Sequence, residues 1–416
     1  MTFNLNEFLL AVSFAIDAVE MEILGVNSNH GKRVGYIAIR MAEVFGLSQE
    51  EIFDLLSLSI MHDNAISEEL LKSQPMIKTM DNFQRVETLM THCSIGEKNI
   101  RKFPFLTSPK SIITYHHENY DGSGFFGLKG QKIPLMAQII SFADFTDFLF
   151  SFDNQDINNR EKIIDYVKEQ KGKRLSPDIV EAFLENAQYI SFWLDLQNHN
   201  INDAIGQRLP SLTKELSWYD IFQITDVFSN IIDCKSKFTQ WHSIGLNAKA
   251  SILAKHYGKD EEEQIKLSIA ANVHDLGKLT IPNSILDKPD KLTKAEFSVI
   301  QTHTYYTRYC LKDIKPFNEI TEWAANHHEK LDGGGYPYGF KADRLDFNSR
   351  MICCLDIYQA LTEERPYRKE LPHEQAMDIL RALEKNGQID SLIVNDIDKV
   401  FEDIIFYKSF YSPFSG

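Results

Sequence analysis

The sequence contains no long apolar run. No stretch approaches the roughly 18 residues of a membrane span, so no spanning helix is expected. The apolar opening segment carries Glu7, Asp17, Glu20 and Glu22 and has no Lys or Arg before Lys32. A secretory leader needs a positive start and an uninterrupted apolar centre, so the chain is expected in the cytoplasm with no membrane partner. Cysteine is scarce. The five thiols, Cys93, Cys234, Cys310, Cys353 and Cys354, form no C-x-x-C pair. They read as buried, reduced thiols rather than a disulfide framework or a zinc knuckle. Basic residues are outnumbered 44 to 59, a net charge of −15. That excludes the broad basic face needed for duplex nucleic acid. It leaves room for a small anionic substrate in a local site. With 13 Pro and 20 Gly in 416 residues, there is no Pro-, Gly- or Ser-rich linker.

What is present is helical periodicity and histidine. Segments 34–47, 244–257 and 263–276 place apolar residues three and four apart, the spacing of an amphipathic helix. Strand-like alternation is short and rare, and Gly and Pro cluster in expected loops at 122–134 and 331–346. An all-α fold follows. The histidines fall into two parallel series. His30, His62-Asp63 and Asp144 recur 212 residues later as His242, His274-Asp275 and Asp356. His92 and His116-His117 recur 211 residues later as His303 and His327-His328. Ten of the thirteen histidines belong to this repeat, leaving His199, His256 and His373. The surrounding text repeats too, as in HHENYDGSGFFG against HHEKLDGGGYPYG. The reading is therefore two tandem helical bundle domains, 1–205 and 206–416, with the boundary in the polar stretch around Pro210.

Imidazole nitrogen and carboxylate oxygen are ligands for first-row metals, and a carboxylate can bridge two of them. Each half supplies seven such residues, more than one ion needs. They suit a two-metal site lined from several helices, of the kind used in phosphoryl transfer. Two divalent metals per site are expected. Mixed His/carboxylate ligation favours iron or manganese, with nickel, cobalt or zinc as alternatives.

His274-Asp275-Leu276-Gly277-Lys278 resembles the HD-x-GK signature of the HD-superfamily metal-dependent phosphohydrolases. His327-His328-Glu329 followed by Asp332 to Pro337 resembles the HHE…DGxGYP signature of their HD-GYP subfamily. Lys235-Ser236-Lys237-Phe238-Thr239 leading to His242, and Arg365-Pro366-Tyr367-Arg368, are similar to further stretches of that subfamily. The likeness is strong over 220–385 and weaker over 10–150. It implies two HD-type helical bundles and hydrolysis of a cyclic dinucleotide, cyclic di-GMP or 3′,3′-cyclic GMP-AMP. It implies one metal on His242, His274, Asp275 and Asp356, a second on His303, His327 and His328, and Asp275 as the bridge. Metals roughly 3.5–4 Å apart can hold a bridging hydroxide for attack on phosphorus. Asp275 and Lys278 would be the catalytic pair. Lys278 would also grip a phosphate oxygen, Arg365 and Arg368 would clamp phosphate or a guanine edge, and Tyr336 would offer a stacking face. Some members carry a glutamate four residues before the first histidine and bind a third metal. Phe238 and Val26 stand there, so two metals are expected.

The first half keeps His30, His62, Asp63, His92, His116, His117 and Asp144 but not the substrate-gripping residues. Ala65 and Ile66 replace Gly277 and Lys278, and Gly124-Phe125-Phe126 replaces Gly335-Tyr336-Pro337. Asp153 and Asp156 stand where Arg365 and Arg368 do, so two cations have become two anions. The first half is expected to be a degenerate, metal-binding and regulatory copy. The alternatives are a di-iron redox or oxygen-sensing role and a non-catalytic signalling role, and a homodimer is an allowed assembly.

Overall fold

The computed structural model describes residues 1–68, 90–153, 156–236, 242–363 and 369–402. Arg365, Arg368 and Phe238 therefore lie outside the described residues. The chain divides into two compact units, Thr2–Glu215 and Leu216–Gly416. The division falls at 215/216, where the sequence pattern puts it at 205/206. The intervening residues stay with the first unit because Lys214–Glu215 (β2) pairs antiparallel with Thr2–Phe3 (β1), Thr2 opposite Glu215.

Both units are helical among the described residues. The first contains α1 (Leu5–Leu24), α2 (His30–Phe45), α3 (Gln49–Ile60), α4 (Met90–Asn99), α5 (Leu135–Phe150), α6 (Ile157–Glu169), α7 (Pro177–Ala187), α8 (Ile190–Asp195) and α9 (Ile201–Gly206). The second contains α10 (Trp218–Lys235), α11 (His242–His256), α12 (Glu261–Val273), α13 (Asn283–Leu286), α14 (Lys294–Leu311), α15 (Asn318–Ala325), α16 (Phe347–Thr362), α17 (His373–Lys385) and α18 (Ser391–Phe401). Among the described residues, no helix is long and apolar enough to cross a membrane.

Local chemistry starts these helices where the sites need them. Ser48 and Glu51 form a capping box on α3, and Thr293 and Glu296 form one on α14. Each satisfies backbone donors that would otherwise be orphaned. Asp260 and Asp346 cap α12 and α16. In the first unit α2 is central, packing on α3, α5, α7 and α9. Its residues from His30 to Ile39 are all buried. In the second unit α11 packs on α12 and α16. Each of these two helices carries the first histidine of its series.

Candidate metal centre

The His-Asp doublet works because its helix ends on it. Successive helical residues point about 100° apart, so two neighbours cannot both face one point from mid-helix. α12 stops at Val273, His274 is its cap, and Asp275 leaves helical geometry with φ −97° and ψ 12°. Both side chains then turn inward and are buried. His62-Asp63 follows the end of α3 in the same way, and His327-His328 follows the end of α15.

These turns, with α11, α14 and α16, bring all seven second-unit residues together. His242 Nε2 lies 3.0 Å from Asp356 Oδ1, and His274 Nε2 lies 3.1 Å from Asp275 Oδ2. Asp275 Oδ1 faces His303 Nε2 at 3.4 Å and His327 Nε2 at 3.7 Å. His303 and His327 approach to 3.2 Å through their Nε2 atoms, and His328 Nδ1 is 3.8 Å from Asp356 Oδ2. Two triads have ligand spacing, His242/His274/Asp356 and His303/His327/His328, and Asp275 touches both.

The first unit repeats the arrangement. His30 Nε2 and His62 Nε2 sit 3.3 and 3.5 Å from Asp144 Oδ1. His92 Nε2 and His116 Nε2 sit 3.2 and 3.5 Å from Asp63 Oδ1. His117 Nδ1 is 3.9 Å from Asp144 Oδ2.

The donor atoms fit a cation. Buried His242 Nε2, His274 Nε2 and Asp275 Oδ1 have no hydrogen-bond partner, and neither do His30 Nε2, His62 Nε2, Asp63 Oδ1 and His116 Nε2. Leaving that many buried polar atoms unpaired would cost about 1–3 kcal/mol each, and a shared metal removes the cost. The opposite ring nitrogens are all engaged. His274, His303 and His327 donate from Nδ1 to the carbonyls of Ala271, Ile300 and Ala324 at 2.8, 2.6 and 2.6 Å. His62 and His116 do the same to Ser59 and Ile113. This fixes the tautomer and aims the Nε2 lone pair inward. Burial, with Lys278 and His328 nearby, pushes His303 down to about 3. Its ring is therefore neutral and able to ligate.

The first histidine of each series is held differently, and sequence reading missed how. His242 Nδ1 lies 3.1 Å from both oxygens of Glu363, whereas His30 Nδ1 lies 2.7 Å from Asp147 Oδ2. The carboxylate comes from non-equivalent positions. At the position matching Asp147, the second unit has Gln359, which donates to Glu363 at 2.9 Å. Gly245 makes room for it, because a Cβ there would lie 2.4 Å from Gln359 Nε2. The first unit puts Arg33 at that place, bonded to Asp147 from Nε and Nη2 at 2.8 and 2.9 Å. Glu20 was also missed. It is buried, neither oxygen has a hydrogen-bond partner, and burial lifts its carboxyl to about 8 beside His62 and His30.

Glu329 anchors the glycine-rich loop, accepting from the Tyr338 and Phe340 amides at 2.8 and 2.9 Å. Gly335 passes so close that a Cβ would lie 2.4 Å from the Lys330 nitrogen. Tyr336, half-buried, packs its ring 4.9 Å from that of His328. Lys278 pairs with Asp275 Oδ2 and keeps a fifth of its side chain exposed. A cleft of about 620 Å³ lies over this cluster, a size typical of small-molecule sites. His242, His303, His328 and Asp356 line it together with Lys235, Lys278, Lys288 and Lys291.

Over the first-unit cluster the cavity is about 290 Å³, lined by Asp63, His117 and Asp144 with Phe125, Phe145 and Phe148. Its cation is Arg174, whose guanidinium lies over the Phe145 ring. Ile66, in place of Lys278, is buried. Asp153 accepts from Asn27 and Asn198, and Asp156 caps α6. Four of the five cysteines are buried, Cys234 is half-buried, and all are free thiols. Cys93, read from sequence only as a buried thiol, lies among His92, His116 and His117.

A family model described as "HD domain" matches residues 28–179 and again 226–393. The chain is 31% identical over 403 residues to 3'3'-cGAMP-specific phosphodiesterase 1 of Vibrio cholerae, covering 95% of this chain and 91% of the relative. It is 32% identical over 155 residues to a cyclic di-GMP phosphodiesterase of Pseudomonas aeruginosa, 37% of each chain. Its fold resembles the crystal structure of a cyclic GMP-AMP specific phosphodiesterase of V. cholerae, with a TM-score of 0.68 and 24% identity, covering 97% of this chain and 99% of that one.

Proposed function

The chain belongs to the HD domain family, and from that premise we propose that its second unit is a metal-dependent phosphodiesterase of a cyclic dinucleotide. The substrates to which its relatives point are 3′,3′-cyclic GMP-AMP first and cyclic di-GMP second. The observation that carries the reading is the two ligand triads, His242/His274/Asp356 and His303/His327/His328, joined by Asp275 beneath a cleft that Lys278 lines.

His242, His274 and Asp356 would hold one divalent cation and His303, His327 and His328 the other, with Asp275 shared. When bound, the pair would supply a nucleophile from water at neutral pH and offset charge on the phosphate oxygens. Iron or manganese suits this mixed donor set. The protein's own residues then do three things. The backbone carbonyls hold the rings of His274, His303 and His327, and Glu363 that of His242, in the ligating tautomer. Lys278, at the cleft wall beside Asp275, meets a non-bridging phosphate oxygen. Lys291 adds positive charge to the cleft for a dianionic ligand inside an acidic protein, while Lys288 is paired with Glu296 and Asp290 also lines the wall, and Tyr336 packs on His328, which lines it.

In the first unit an apolar wall and Ile66 take the place of those cations. We assign it metal binding without hydrolysis, in support of the second unit. The test is to purify the full chain without oxygen, measure bound metal, and separate the products from both dinucleotides. Turnover with a linear dinucleotide or mononucleotides as product supports the reading. Metal-loaded chain that leaves both substrates intact overturns it.

A further inference from the structure

The second triad of the first unit differs from its counterpart by one donor atom. His92, His116 and His117 are joined by Cys93, and the four ligand atoms lie within 4.8 Å of one another. Cys93 is fully buried. Its Sγ is 3.5 Å from His92 Nε2. A zinc ion with Zn–S of about 2.3 Å and Zn–N of about 2.0–2.1 Å has an S···N tetrahedral edge of about 3.5 Å. The buried Nε2 atoms of His116 and His117 have no hydrogen-bond partner. In the second unit Thr304 stands at the matching position. Its hydroxyl donates back to the Gln301 carbonyl at 3.2 Å and offers no thiolate.

We propose that Cys93 is a metal ligand, so that this position holds a thiolate-bound ion of the zinc class with no coordination place left for a nucleophile. The inference rests on reading the His/Asp clusters as metal centres. Three imidazoles and a thiolate already complete a tetrahedron, the closed form of structural zinc sites. Asp63, with Oδ1 3.2 Å from His92 Nε2, would raise the number to five. The equivalent position in the second unit has three histidines and Asp275, one donor fewer than the first unit offers with Cys93 and Asp63. Soft sulfur also shifts preference toward zinc over iron or manganese. As the metal–sulfur bond forms, the thiol proton leaves to solvent and no electron changes hands. The first copy would thus keep its ion for structure, consistent with its lost phosphate grip.

The test uses the full-length Asp275→Ala chain, which lacks the residue shared by the two second-unit triads, loaded with Co²⁺. A near-ultraviolet sulfur-to-cobalt charge-transfer band is expected, with loss of that band when Cys93→Ser is added. A spectrum without the band, or a band that survives Cys93→Ser, overturns the proposal. Should the double variant fail to fold, zinc-edge X-ray absorption on the zinc-loaded Asp275→Ala chain decides. A sulfur shell at about 2.3 Å supports Cys93 as ligand, and a shell of nitrogen and oxygen alone rejects it. Neither readout depends on turnover, so failure of the phosphodiesterase reading, measured on wild-type chain, is seen separately.

Discussion

Gly277→Ala is a small change whose consequence can be worked from the structure. A Cβ at Gly277 would sit 1.9 Å from the carbonyl oxygen of His303 and 2.9 Å from the Thr307 nitrogen. Ordinary contact begins near 3.4 Å, so the α14 backbone would have to retreat by about 1.5 Å. The obstructing atoms are main chain, so no rotamer change relieves them. The retreat carries His303 away from Asp275 Oδ1, now at 3.4 Å, and His327 Nε2, now at 3.2 Å. Overpacking of this kind costs about 1–3 kcal/mol, and a misplacement of about 1 Å at a reacting centre costs about 10²-fold in rate. The expected result is a turnover at least 10²-fold lower with weaker retention of one metal. Steady-state kinetics, metal content and thermal unfolding of Gly277→Ala beside the wild type read this out. Wild-type turnover and metal content in Gly277→Ala would refute the close-packing argument.

Three further outcomes follow from the same geometry. Lys278→Ala should keep both second-unit metals yet slow turnover by about 10²–10³-fold, as for loss of a charge-stabilising donor; an unchanged rate under metal saturation means Lys278 does not meet the substrate. Glu363→Gln should weaken metal affinity or activity at the His242 side by about 10–100-fold, the usual cost of losing a carboxylate behind a ligating histidine; metal titration that matches wild type would remove Glu363 from the centre. Asp147→Asn should destabilise the first unit by about 3–5 kcal/mol, because Arg33 is fully buried and would lose its counter-charge. Burial opposes ionisation of Asp147, but Arg33 and His30 outweigh it and hold the carboxyl well below the usual range. A depressed folded value gives stability that is complete above the unfolded value near 3.9 and fades as pH falls below it. Urea unfolding should therefore show the variant's deficit at pH 7 and a smaller deficit in acid; a deficit that grows in acid would reverse the assignment.

The ligands were legible in sequence because they repeat. Ten histidines and four aspartates recur at offsets of 211 or 212, and a constant offset needs no knowledge of the fold. The helical class was legible from spacing alone. What supports the ligands was not. Asp147 and Glu363 serve corresponding histidines from positions that do not correspond, since Arg33 fills the space that Gly245 leaves to Gln359. No offset could reveal that exchange. Cys93 has a threonine as its counterpart, so the repeat discounted it. Glu329 stood in a quoted motif, but its role depends on which backbone amides the loop leaves unpaired, and that is a three-dimensional account. The 215/216 division depends on a two-residue strand pair too short for periodicity to register.

The central claim is that the second unit performs hydrolysis and the first does not. The most direct test compares two matched variants of the full chain, Asp275→Ala and Asp63→Ala, for turnover of 3′,3′-cyclic GMP-AMP and cyclic di-GMP. Asp275→Ala should abolish product formation with whichever dinucleotide the wild type cleaves, and Asp63→Ala should retain it. Turnover that survives Asp275→Ala, or that vanishes only with a folded Asp63→Ala, would contradict the account.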